Sequence, residues 1–141
     1  MYEEFFGLSA SPFVNSIPSS SLYMSPILND TLGRLNFAVS HKMFAVVTAD
    51  VGCGKTTAIR KFTDGLDRNN YEVLYIANSR LSPSWFYKSM LKQLGVEPQF
   101  YRDAASRQLH RELEIIKGIQ KRQVVCIVDE AHLLSKETFE E

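Results

Sequence analysis

Ala45-Val46-Val47-Thr48-Ala49-Asp50-Val51-Gly52-Cys53-Gly54-Lys55-Thr56-Thr57 decides how this chain is read. An apolar run ends in a short loop with two glycines, and the loop enters Gly-Lys-Thr-Thr at the head of a helical pattern. This is the layout of a phosphate-binding loop between a buried strand and a helix. Gly52 and Gly54 permit positive φ and a close approach of the backbone to a polyphosphate. The successive N–H groups of the loop and the helix N-terminus then offer donors and a favourable dipole to the anion. The residues expected to contact nucleotide are Asp50, Val51, Gly52, Cys53, Gly54, Lys55, Thr56 and Thr57. Lys55 is expected to set its ammonium between the outer phosphates, and the Thr56 hydroxyl to take one corner of a Mg²⁺ octahedron. The pattern asks for glycine five residues before Gly54, where this chain has Ala49. That glycine eases the turn out of the strand, so alanine costs little if its φ is negative. The bland alternative, a chance Gly-Lys-Thr in a surface turn, would not follow an apolar run and open an amphipathic helix.

Length and composition set the frame. At 141 residues the chain can bury a core but is small for a complete nucleotide-hydrolysing domain. Sixteen basic residues balance sixteen acidic ones, so the overall field argues neither for nor against nucleic acid. No apolar run approaches the roughly 20 residues of a membrane helix, and the acidic start at Met1-Tyr2-Glu3-Glu4 does not resemble a signal peptide. Cys53 and Cys126 fall in segments expected to be buried or ligand-facing, and are read as reduced thiols of a cytoplasmic protein. No chemistry is assigned to the Cys53 thiol.

Residues 1–24 mix Tyr2, Phe5, Phe6 and Phe13 with turn formers, predicting a short helix and loop packed across the domain. Ser25-Pro26 predicts a capped helix to about His41. Phe44–Thr48 is expected to be the first buried strand, and a helix with Ala58, Ile59, Phe62 and Leu66 inward follows the loop. Glu72–Ala77 predicts the second strand. Ser82-Pro83 opens a helix ended by Gly95, and 103–120 a further helix with Leu109, Leu113, Ile116 and Ile119 inward. Val124–Val128 predicts the third strand, with Ser135 as the cap of a last helix. The alternation argues an α/β fold with a parallel sheet, as one domain whose 1–42 is an aromatic segment and helix and whose 43–141 is the loop-bearing core.

The third strand ends in Asp129-Glu130. Functional residues of parallel sheets gather at the carboxyl ends of strands, the edge where a phosphate loop also lies. Asp129 is therefore a candidate Mg²⁺ ligand, and Glu130 a candidate base for an attacking water. Two solvated acids after a strand are common, but together with the loop they form two compatible halves of one ATP site. Asn78 ends the second strand. Two readings stay open for it: a partner that holds Glu130, or a turn-forming asparagine. His132 is a further candidate for reading a phosphate or a neighbour, or simply ends its loop.

With these residues in view, the chain resembles the ExeA-like group of AAA+ ATPases, which includes secretion-pathway ATPases and the helpers of bacterial transposition. The likeness runs from Met1-Tyr2-Glu3-Glu4-Phe5-Phe6-Gly7-Leu8 with Pro12-Phe13, through Leu22-Tyr23-Met24-Ser25 and the loop, to Asn78-Ser79-Arg80-Leu81-Ser82-Pro83. It ends in Asp129-Glu130-Ala131-His132-Leu133-Leu134. The resemblance implies a three-layer P-loop fold, with ATP and Mg²⁺ held between protomers of a ring or filament and Asn78 switching Glu130. Segment 12–27 would lie near the adenine. It also implies a sheet ordered 5-1-4-3-2, so that a chain ending after the third core strand lacks the fourth strand, sensor, arginine finger and lid. Either a fragment of a longer protein, or edges covered by another copy, is then expected.

The resulting functional expectation is an ATP-dependent switch or assembly factor, catalytic through Lys55, Glu130 and Asn78. Two settings compete: a transposition helper binding DNA and transposase, favoured modestly by the basic residues of 102–122, and a secretion-pathway ATPase. A nucleotide-binding scaffold without hydrolysis is the alternative of another class.

Overall fold

The computed structural model describes residues 2–9, 11, 14, 17–77, 80 and 82–140. They form two units, Met1–Gly65 and Leu66–Glu141.

In the first unit, α1 (Tyr2–Phe5) is a single turn, followed by a 3₁₀ turn at Ser19–Ser21, α2 (Pro26–Ser40) and α3 (Lys55–Gly65). α2 starts where the sequence signals it: Ser25 is extended, its hydroxyl accepts the Leu28 N–H at 3.2 Å, and Pro26 fills the first helical position. α2 packs on α3; Leu35 and Ala38 of the first and Ala58 and Phe62 of the second are buried. Two cations of α3 hold the segment before α2 by its backbone: Arg60 donates to the Ile17 carbonyl at 2.9 Å and Lys61 to that of Ser19 at 2.7 Å. Of the aromatics expected to pack that segment across the domain, Tyr2, Phe5 and Phe6 are exposed, and Phe13 lies outside the described residues.

Phe44–Thr48, predicted to be the first buried strand, is not a strand. Residues 43–50 have no regular structure, and Phe44 and Val46 are 84% and 72% exposed. An apolar run becomes a strand only when a neighbour takes up its backbone N–H and C=O groups. The expected sheet order sets this run beside a fourth strand, and none of the described residues forms one.

The second unit contains β1 (Tyr71–Ile76), α4 (Pro83–Gln93), α5 (Arg102–Gly118), β2 (Gln123–Val128), a 3₁₀ turn at Ala131–Leu133 and α6 (Lys136–Phe139). β1 and β2 pair in parallel from Tyr71 opposite Gln123 to Ile76 opposite Val128. The ladder runs on at both ends, with Gln123 N–H to Asn70 O at 2.8 Å and Asp129 N–H to Ile76 O at 2.9 Å. Parallel strands need a long crossover, and α4 and α5 supply it. Alternation along β1 sends Leu74 and Ile76 to one face, where they join Tyr87, Met90 and Leu91 of α4 and Ala105 and Leu109 of α5 in the core.

Local signals fix the helix ends. Gly95 has φ +75°; its N–H bonds Lys92 O and the Val96 N–H bonds Leu91 O, a Schellman closure with Val96 packed against the core. Ser135 accepts the Thr138 N–H at 3.1 Å, whereas Ser82 stands at its cap position without a side-chain bond. Ile119, expected inward, is 77% exposed because α5 ends at Gly118 and the chain leaves the helical phase there. Long-range contacts complete the sheet. Gln93 accepts the Tyr75 N–H at 2.8 Å and donates to the Tyr75 carbonyl at 2.9 Å, covering part of the β1 edge. Arg122 pairs with Glu72 at 2.6 Å and donates to Tyr71 O, bracing the strand starts. Cys53 and Cys126 are free thiols and both are exposed, which for Cys126 departs from the burial expected of its strand.

Leu91 is 0% exposed at the centre of this core. Leu91→Ala is expected to destabilise the protein by about 2–5 kcal/mol in chemical denaturation; a loss below about 1 kcal/mol would contradict the packing described.

Candidate functional site

The loop lies in the first unit and ends in α3. Gly52 and Gly54 have φ of +82° and +80°, and a Cβ at either would meet nothing within 4 Å. The demand for glycine here is conformational, because an L side chain is strained in that region however much space surrounds it. Ala49 is not among the described residues with positive φ, so alanine in place of glycine costs the turn little. The Cys53 N–H donates to Asp50 O at 3.3 Å, tightening the loop. The Lys55 ammonium reaches back across it, donating to the carbonyls of Ala49 at 2.7 Å and Asp50 at 3.0 Å.

The first i−4 bond of α3 runs from Ala58 N–H to Gly54 O at 2.8 Å. The N–H groups of Lys55, Thr56 and Thr57 therefore precede the helix ladder and emerge at its positive end. Thr56 is exposed and Val51 fully so, which leaves the concave side of the loop accessible. This loop can grip an oxyanion with backbone dipoles and one flexible cation.

The two acids lie in the second unit, directly after β2. Asp129 extends the ladder through its N–H, while its carboxylate accepts the Tyr75 hydroxyl at 2.6 Å and the Glu130 N–H at 2.9 Å. These bonds orient the carboxylate. Burial raises the Tyr75 phenol, helped by its bond to Asp129 and that carboxylate's charge, to about 12. Tyr75 was not singled out from the sequence, although parallel register offers the signal: it stands opposite Ile127, and Asp129 is the next residue on the same face of β2.

Glu130 adopts a left-handed conformation (φ 50°, ψ 41°), a strain of about 1–3 kcal/mol for a residue other than glycine. It opens the turn Ala131–Leu133, whose Leu133 N–H returns to Glu130 O at 2.9 Å. The turn brings His132 Nδ1 to 3.3 Å from the Glu130 carboxylate, with both side chains exposed. Asn78, like Pro12 and Phe13, lies outside the described residues.

Thr56 in the first unit and Asp129 in the second each offer a hard oxygen of the kind Mg²⁺ takes, and no group of three or more His, Cys, Asp or Glu among the described residues could hold a metal.

Residues 38–141, which include both the loop and the acids, match the model of the AAA domain family. Over 143 aligned residues the chain is 34% identical to General secretion pathway protein A of Aeromonas hydrophila, covering 95% of this chain and 25% of that protein. The chain therefore spans a quarter of the length of this curated relative. No solved structure matches it.

The raised phenol gives a direct check. Tyr75 loses its proton later in the folded than in the unfolded chain, so its contribution to stability is complete below about pH 10 and is lost as the pH rises through about 12. Ultraviolet titration of the six tyrosines is expected to show a late phenol that is absent in Tyr75→Phe and moved earlier in Asp129→Asn. All six ionising together near the ordinary value of about 10 would contradict the Tyr75–Asp129 contact.

Proposed function

The chain belongs to the AAA family of ATPases, and on that premise we propose that it binds ATP as a nucleotide-dependent switch, with hydrolysis in the complete protein. The observation that carries this reading is the loop itself: two positive-φ glycines lead directly into a helix headed by Lys55 and an exposed Thr56. In this role the loop N–H groups from Asp50 to Thr57 hold the phosphates and Lys55 moves from the loop carbonyls onto the outer phosphates. Thr56 and Asp129 are the residues that would supply oxygens to Mg²⁺, which when bound would neutralise charge on the phosphate oxygens. Glu130 accepts the proton of the attacking water, and Tyr75 and the Glu130 N–H hold the Asp129 carboxylate in place. Asn78 is proposed to switch Glu130 between working and resting positions. Self-association into a ring or filament, in the cytoplasm, belongs to the same proposal.

For the biological setting, the relative named for general secretion supports an envelope-secretion role over a transposition helper. The transposition reading leans on the basic residues of 102–122, and two of them have internal partners: Arg102 binds Glu137 at 2.6 Å, and Arg122 binds Glu72. On α5 the remaining Arg107, Arg111 and Lys117 share their exposed arc with Asp103 and Glu114, which weakens the field a duplex would meet.

Mg·ATP turnover by the complete protein tests the proposal. Lys55→Ala is expected to weaken ATP binding roughly tenfold or more, as loss of a charge-assisted contact requires. Glu130→Gln should keep binding and lower turnover by about 100-fold or more. Binding without turnover in the wild type would favour a nucleotide-binding scaffold; absence of binding would end the reading.

A further inference from the structure

The outer face of α4 carries a feature that the nucleotide site does not use. Trp85, Lys88, Ser89 and Lys92 recur at helical spacing and line an open notch of about 220 Å³. The Lys88 ammonium lies 5.5 Å from the centroid of the Trp85 ring and 5.0 Å from that of Phe100, between two aromatic rings. Tyr101 meets Phe100 edge-on at 5.3 Å. None of these rings is buried: Trp85, Phe100 and Tyr101 are 56%, 79% and 75% exposed. α4 contains no Asp or Glu, so Lys88 and Lys92 give this face a positive charge. The acids nearest in sequence are Glu97 and Asp103, and neither belongs to α4.

We propose that this face binds single-stranded nucleic acid, with bases stacked on Trp85 and Phe100 and phosphates met by Lys88 and Lys92. Rings left in water at such exposure contribute little to the fold, whereas each offers a π-face that any base can cover. A single strand supplies a planar ring and an anion in every repeat, matching the interleaved aromatics and lysines. An acidic peptide would satisfy the lysines and leave the ring faces without a regular partner. The inference does not rest on the ATPase reading, and its test contains no ATP.

Trp85 is the protein's one tryptophan, so its fluorescence reports this face directly. Titration with an oligothymidylate of about 15 nucleotides, long enough for a single-strand site, is expected to quench that emission saturably at low salt. By anisotropy of the labelled oligonucleotide, Trp85→Ala should bind roughly tenfold more weakly. The double variant Lys88→Ala/Lys92→Ala should lower the slope of log affinity against log salt by about 1.4, a readout that general loosening of the fold would not give. Far-UV circular dichroism checks that both variants are folded, and the lysine variant decides the matter if Trp85→Ala is not. Absence of quenching up to about 100 μM oligonucleotide, an unchanged salt slope, or equal quenching by polyglutamate would overturn the proposal, the last assigning the face to acidic peptides.

Discussion

Parallel pairing of Tyr71–Ile76 with Gln123–Val128 is the constraint from which most of the second unit follows. Two parallel strands cannot be joined by a tight turn, so α4 and α5 must carry the chain back, and their apolar stripes then cover one face of the pair. The pairing also determines where the acids stand. Because the Asp129 N–H still bonds Ile76 O, Asp129 is held as the last rung of the ladder, and the next residue is forced to turn. Glu130 makes that turn in a left-handed conformation, and the 3₁₀ turn after it brings His132 back to the Glu130 carboxylate.

The first unit solves a different problem. A helix N-terminus leaves N–H groups without intrahelical partners, and the chain presents those of Lys55, Thr56 and Thr57 behind a loop shaped by Gly52 and Gly54. Lys55 satisfies its own charge on the carbonyls of Ala49 and Asp50, contacts that an incoming phosphate can exchange. The combination is an anion grip that depends on few side chains, which is why Ala49, a residue without positive φ, is accommodated.

Features encoded over a few residues were legible in the sequence. The Ser25-Pro26 start, the Gly95 closure, and the glycines and lysine of the loop all depend on neighbours in sequence, and the two strands showed as apolar runs although their pairing is long-range. What escaped depends on distant partners. Phe44–Thr48 has the composition of a strand, yet without a neighbour to take its backbone groups it forms none. Tyr75 finds Asp129 across 54 positions, Gln93 covers the edge of β1, and Arg122 reaches Glu72; none of these pairs leaves a local mark. Ile119 shows the same limit at short range, since one residue past the end of α5 the helical phase no longer predicts burial.

The central claim is that the loop at 49–57 takes up a nucleotide polyphosphate chiefly through its backbone. Amide-resolved NMR of the chain titrated with Mg·ATP tests it most directly. The account predicts that the largest shift changes fall on the amides of Gly52 through Thr57, and that they are lost in Lys55→Ala. Saturable changes centred elsewhere, or none at millimolar Mg·ATP, would contradict it.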